Sequence, residues 1–216
     1  MRRLEVVING VLRVLDVPQR TGYSVDRGAS VRKRSDKELY LLKLTVKDIE
    51  PPIWRRLLVR SDTTLARLHL IIQSLMEWEN YHLYQFQILD KTHGPPAVDD
   101  EEYGRRESVR LRLSTVFRDG VDTIVYEYDF GDGWEIIVEL EDLLPANEQE
   151  ENVKCIGGAR RGPLEDSGGP LGYMEKLQIR KDPTHPDHKE VKDWIGPRFD
   201  PEAFNLYEAN YNLREF

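Results

Sequence analysis

The sequence predicts an α+β fold: a β-grasp-like strand–strand–helix–strand core, extended by a β-hairpin and followed by short C-terminal helices. Three observations predict it. Apolar residues alternate in short runs, as at Tyr40, Leu42, Leu44 and Val46. One segment, Leu65, Leu68, Ile72, Leu75 and Met76, switches to helical spacing behind Ser61-Asp62-Thr63-Thr64, which are helix-start residues. The last part of the chain then holds three short stretches read as helices, two of them opening at Pro186 and at Asp200-Pro201-Glu202.

In chain order, Leu4–Ile8 and Val11–Leu15 are β-branched runs joined by Asn9-Gly10, whose tolerance of positive φ makes it a strong hairpin signal. Residues 1–17 are therefore expected to form a hairpin appendage. Residues 18–37 lack apolar periodicity and are expected to be a linker to a main domain spanning 38–216. Within that domain Glu50-Pro51-Pro52 turns the chain into a second strand whose better apolar parity, Ile53, Leu57 and Val59, places Arg55 on the inner side, where it calls for a carboxylate. Tyr84, Phe86 and Ile88 alternate as a third strand, and Val109, Leu111 and Leu113 alternate briefly.

The stretch from Tyr126 to Trp134, Tyr-Glu-Tyr-Asp-Phe-Gly-Asp-Gly-Trp, predicts the tip of a hairpin over roughly 123–141. Alternation assigns Ile124, Tyr126, Tyr128, Phe130, Trp134, Ile136, Val138 and Leu140 to a core face, and Glu127, Asp129, Glu135 and Glu139 to an acidic one. Pro145–Leu171 is rich in Gly, Pro, Glu and Arg and is expected to be an irregular loop. Helices are expected over about 172–181, over 186–195 opening at Pro186, and over 200–213 opening at Asp200-Pro201-Glu202.

Composition narrows the function. The chain has 216 residues, 39% hydrophobic and 32% charged, as in a globular protein, and no apolar run approaches the roughly 20 residues of a membrane helix. Met1–Val6 has two arginines, but Glu5, Asn9 and Arg13 interrupt the apolar run a signal peptide requires, so a cytoplasmic protein is expected. The lone Cys155, which has no intramolecular disulfide partner, agrees with a reducing compartment. The net charge of −8 is uneven: residues 1–38 carry nine basic against five acidic residues, and the remainder 22 against 34. An acidic body argues against broad nucleic-acid binding, and Arg32-Lys33-Arg34 is left as a place for such a contact unless this short charge run is only a solvated linker.

Five groups of residues carry a resemblance: Leu42-Lys43-Leu44 leading into Pro51-Pro52-Ile53-Trp54-Arg55-Arg56; Thr63-Thr64-Leu65 with Leu68-His69 and Ile72-Gln73; Tyr126 to Trp134; Gly168-Gly169-Pro170 with Gly172-Tyr173; and Phe199-Asp200-Pro201-Glu202-Ala203-Phe204. With them, from about Leu39 onward, the chain resembles the plasmid pRiA4b ORF-3-like family. The resemblance implies a compact α+β domain found on plasmids, mobile elements and bacterial and archaeal chromosomes, and it implies no assigned reaction. Some relatives are labelled insertion-element passenger proteins with a resolvase-like name, but this sequence holds no nucleophilic serine motif that would make it a recombinase. Family members often carry two further cysteines in the loop containing Cys155. Gly162 and Ser167 stand in their place, so no thiolate metal site is expected.

Three constellations remain. Glu127, Asp129 and Asp132 with His69 or His82 could hold a divalent metal or move protons, unless Asp132 only shapes the turn, Asp129 pairs with Arg55 or Arg56, and His69 is a core histidine. His185 and His188, with Cys155, offer metal ligands, but Pro186 spoils the helical spacing between the histidines. Trp54, Arg55, Arg56, Tyr128 and Trp134 form either a stacking surface or a cation–π seam inside the sheet. The Gly-rich loop 157–172 lacks the Lys-Ser/Thr of a phosphate loop, and no cofactor is expected. The reading placed first is a non-enzymatic module that binds protein or nucleic acid. The alternative is a metal-assisted hydrolase or nuclease centred on Asp129 and Asp132 with a histidine, and carboxylates converging on an open pocket would favour it.

Overall fold

The computed structural model describes residues 2–8, 11–17, 38–95, 109–146 and 152–216. The Asn9-Gly10 turn, the proposed linker 18–37 and the Arg32-Lys33-Arg34 tract lie outside the described residues. Strands β1 (Arg2–Ile8) and β2 (Val11–Val17) pair antiparallel from Arg2↔Val17 to Ile8↔Val11, as the two β-branched runs predict.

The main sheet has seven strands: β3 (Glu38–Val46), β4 (Trp54–Arg60), β5 (Tyr84–Ile88), β6 (Lys91–His93), β7 (Thr123–Tyr128), β8 (Trp134–Pro145) and β9 (Val153–Ala159). They lie in the order β6-β5-β7-β8-β3-β4-β9, with every pairing antiparallel. Together with the helices this is an α+β architecture. The strand–strand–helix–strand order is present, but β5 does not join β3 and β4 directly: β7 and β8 stand between them.

Helix α1 (Leu65–Met76) covers the sheet with Leu65, Leu68, Ile71, Ile72, Leu75 and Met76 buried against Tyr40, Leu42, Leu44 and Val46. Its N-terminal amides are accounted for individually. Thr64 Oγ1 accepts from Arg67 N, while the carbonyls of Leu111 and Val109 accept from Leu65 N and Ala66 N. The Val109–Leu113 segment, which alternates like a strand, therefore passes as irregular chain into the short helix α2 (Leu113–Val116). Leu41, which alternation puts on the polar face of β3, is also buried, in a second cluster with Leu39, Leu58 and Leu144 on the opposite side of the sheet.

The largest departure from the sequence reading is β9. Pro145–Leu171 reads as loop because of Gly157-Gly158, yet this segment forms an edge strand on β4. Glycine is needed at 158, where a Cβ would meet the Phe204 ring at 2.6 Å and Arg55 Cδ at 2.9 Å. The outer edge of β9 is closed by one side chain: Asn210 Oδ1 accepts from Cys155 N, and Asn210 Nδ2 donates to Cys155 O.

Helices α3 (Gly169–Lys181), α4 (His188–Ile195) and α5 (Leu206–Leu213) follow. The last starts later than Asp200-Pro201-Glu202 suggests. Asp200 folds its own turn by accepting from Glu202 N, Glu202 is engaged by Arg160, and Asn205 caps the helix through Tyr207 N and Glu208 N. Among the described residues, no helix is long and apolar enough to cross a membrane.

Candidate functional site

The hairpin β7–β8 puts its tip, Asp129–Gly133, against two other segments: the chain leaving α1 (Trp78–Leu83) and the loop leading into α3 (Gly162–Gly168). Asp129 sits at φ 54°, a conformation Asp tolerates, and its N–H donates to Leu83 O at 2.9 Å. This kink ends the strand alternation. Phe130, assigned to the core face, is turned outward and 49% exposed, whereas Asp129, assigned to the acidic face, is turned inward and buried.

Asp129 does not pair with Arg55 or Arg56. Its Oδ1 accepts from Gly131 N and Asp132 N, which leaves Oδ2 facing His82 Nε2 at 3.4 Å. Asp166 Oδ1 lies 3.3 Å from the same nitrogen. Asp166 is held from behind as well, since its Oδ2 accepts from the Tyr81 hydroxyl at 2.6 Å. The three facing atoms, His82 Nε2, Asp129 Oδ2 and Asp166 Oδ1, lie within 4.8 Å of one another, and no other such His/Cys/Asp/Glu group occurs among the described residues. His82 Nε2 is buried and has hydrogen-bond geometry to neither carboxylate. Atoms bound to one cation at 2.0–2.2 Å stand roughly 2.8–3.6 Å apart, and each carboxylate oxygen is at such a distance from His82 Nε2.

The remaining candidates fall elsewhere. Asp132 shapes the junction instead of joining the cluster: its Oδ2 accepts from Gly168 N at 2.9 Å, and Gly169 approaches so closely that a Cβ would stand 2.1 Å from Asp132 O. Glu127 lies on β7 and accepts from Gln85 Nε2. His69 is a core residue, 3% exposed and stacked on Tyr84 at 3.5 Å, with burial pushing its pKa down to about 4. Its ring completes a chain of bonds: Gln73 Nε2 donates to the Tyr126 hydroxyl, which is thereby free to donate to His69 Nδ1, and Nε2 then donates to Asn80 Oδ1.

His185 and His188 do not meet Cys155. His185 Nδ1 accepts from Asp187 N, His188 Nδ1 bonds Ile179 O, and Cys155 is buried on β9 with its thiol pKa raised by burial. The aromatic and guanidinium group is divided among three places. Trp134 and Tyr128 are in the core, the latter stacked on Trp78 at 4.8 Å; Arg56 lies over Trp54 and forms a bidentate pair with Glu141; and Arg55 points to the interior. The carboxylate that an inward Arg55 calls for is not its partner. Two carbonyls and the Phe204 ring are.

Beside the cluster, Asp166 and Tyr81 line a cleft of about 360 Å³. Glu77, Glu79 and Glu165 also face it, against Arg161 alone among basic residues. Glu165 is fixed by the Tyr128 hydroxyl at 2.5 Å and by Glu79 N at 2.7 Å. Sequence reasoning nominated Asp129 and His82 but not Asp166. The available signal was the Asp-Ser-Gly-Gly-Pro run, with an acid just ahead of the glycines that seat α3 on the hairpin tip.

The profile of the plasmid pRiA4b ORF-3-like protein family matches residues 38–208. An uncharacterised protein, y4hQ of Sinorhizobium fredii (strain NBRC 101917 / NGR234), is 38% identical over 176 residues, 78% of this chain and 87% of that protein. A crystal structure of the protein of unknown function MM3350 from Methanosarcina mazei Go1 is similar with a TM-score of 0.72 and 35% identity, covering 81% of this chain and 98% of that one.

Proposed function

We propose a function for a chain that belongs to the plasmid pRiA4b ORF-3-like family: it holds a divalent cation through His82, Asp129 and Asp166 and uses it for hydrolysis in the adjoining cleft. The observation that carries this reading is the convergence of three ligand atoms whose other contacts are already fixed. Asp129 Oδ1 is taken by turn amides and Asp166 Oδ2 by Tyr81, so each carboxylate offers one oxygen to the same point, as outer hydrogen bonds do around a metal. One imidazole and two carboxylates suit zinc, manganese or iron(II). Three protein ligands leave positions open for water and substrate, and a cation there polarises a substrate oxygen and acidifies a water. The site is the alternative of the sequence reading with Asp166 in place of Asp132. The acidic lining of the cleft suits a neutral or cationic substrate better than a nucleic-acid backbone.

The test is the metal content of tag-free protein purified without chelators, followed by incubation with zinc, manganese and iron(II). One equivalent per chain is expected in the wild type, and none in Asp129→Asn or His82→Gln variants that keep the wild-type circular dichroism. A wild-type chain that takes up none of these ions removes the proposal and leaves the cluster as a polar contact joining hairpin and loop.

A second reading, the binding module, is favoured by one feature. Leu83 and Phe130, 55% and 49% exposed, line one shallow cleft with Pro95 beside the hairpin tip, where a partner's apolar side chain could be covered.

A further inference from the structure

Arg55 is 2% exposed and carries its charge into the interior without an acidic partner among the described residues. Its guanidinium is nonetheless rigidly placed. Nη1 donates to the carbonyls of Trp54 at 2.8 Å and Ala159 at 3.0 Å, which occupies both of its hydrogens, and Cζ lies 4.7 Å from the Phe204 ring centroid. Nε has no hydrogen-bond partner, and Nη2 has none among the described residues. Nε is closed off from solvent, so Nη2 is the guanidinium nitrogen left open to an oxyanion. Arg55 also lines a cavity of about 300 Å³ between α1 and α5, with Ser74, Phe204, Asn205 and Asn212 in its wall.

A buried, unpaired charge is strongly unfavourable, and burial does lower the Arg55 pKa, yet only to about 10, so the group stays charged at neutral pH. Of the acids at this cavity, Glu77 is engaged by Arg161 at 2.5 Å, while Glu208 is exposed on α5 and accepts no hydrogen bond from Arg55.

We infer that this cavity is a binding site for a small oxyanion, a carboxylate or phosphate group, held by Nη2 of the Arg55 guanidinium that the Phe204 ring supports. The site is separate from the cation cluster. The Arg161–Glu77 pair lines both clefts, and the inference stands whether or not His82 binds a metal. Gly158 belongs to the construction, because any side chain there drives into Phe204 and Arg55.

The experiment observes the arginine Nε–H signals of the full-length ¹⁵N-labelled protein by NMR, while acetate and inorganic phosphate are titrated in separately at constant ionic strength with chloride as control. One Nε–H signal, absent from Arg55→Lys, is expected to shift saturably with acetate, phosphate or both, and not with chloride. Whichever anion saturates at the lower concentration identifies the ligand class. Ala203→Trp, at an exposed position on the rim, leaves Arg55 in place and narrows the cavity, so it is expected to raise the apparent dissociation constant at least about tenfold. If Arg55→Lys does not fold, the signal is identified by its loss of response in Ala203→Trp and by backbone shifts at Ala159 and Asn205. A wild-type spectrum unmoved by both anions, or moved equally by chloride, overturns the inference.

Discussion

His69 and His82 both lie against the ring of Tyr128, with centroids 6.5 and 5.6 Å away, yet they occupy opposite chemical situations. Both nitrogens of His69 are claimed, one by the Tyr126 hydroxyl and one by Asn80, and burial keeps the ring neutral. His82 Nε2 is also hidden from solvent, but it has no hydrogen-bond partner and faces two carboxylate oxygens at 3.4 and 3.3 Å. An imidazole becomes available for chemistry when a nitrogen is left unclaimed inside a polar surround. Proximity to an acidic hairpin, which both histidines share, does not decide it.

The strongest test of this contrast is to delete each ring. His69→Ala opens a hole beside Tyr84, takes the acceptor from Tyr126 and the donor from Asn80, and is expected to destabilise the fold by about 4 kcal/mol. His82→Ala removes a partly exposed ring with no side-chain hydrogen bond among the described residues, and about 1 kcal/mol or less is expected. Urea unfolding of the two variants measures both, and equal losses would break the comparison.

A somewhat smaller effect separates the two by pH. The ordinary histidine pKa of 6.5 holds in the unfolded chain, and His69 falls to about 4 in the folded protein. Between those values the unfolded state binds the extra proton. The stability contributed by the neutral ring is therefore full above pH 6.5 and is lost as the pH falls through 4, by about 3 kcal/mol across the window. Carboxylates protonate in part of the same range, so the quantity to read is the difference between wild type and His69→Gln. The variant should lose stability less steeply between pH 6.5 and 4, and identical slopes would place the charge-sensitive histidine elsewhere.

Local chemistry made half of this contrast legible in the sequence. The helical spacing of Leu68 and Ile72 put His69 at the apolar face of α1, and the Tyr126–Trp134 turn nominated Asp129. The parity of Ile53, Leu57 and Val59 likewise placed Arg55 inside, where it is found. What stayed hidden depends on contacts between distant segments. Asp166 reaches His82 only because Asp132 bonds Gly168 and the bare Cα of Gly169 lets the loop close on the hairpin. Strand β9 was masked by Gly157-Gly158, two glycines that suggest a loop when read alone. At Gly158 the actual reason is the Phe204 ring and Arg55 packed over it, whereas a Cβ at Gly157 would make only ordinary contact with Trp54. Asp132, nominated for the site, was already committed to holding the start of α3.

The smallest effect tests whether the surroundings of His82 are organised for a ligand. Tyr81 is 54% exposed and its hydroxyl donates to Asp166 Oδ2, so Tyr81→Phe keeps the ring and removes only the bond that turns Oδ1 toward His82. If Asp166 merely decorates a polar contact, the change has no consequence beyond about 0.5 kcal/mol of stability. If Asp166 is a ligand, the lost orienting bond should weaken manganese or zinc binding by about tenfold, the low end of what outer hydrogen bonds contribute. Asn80→Ala, which removes the bond to His69 Nε2 instead, should leave the metal affinity unchanged while lowering stability. The pair of variants thus asks of each histidine's partner whether it serves the fold or the site, and metal titration read beside urea unfolding gives the two answers separately.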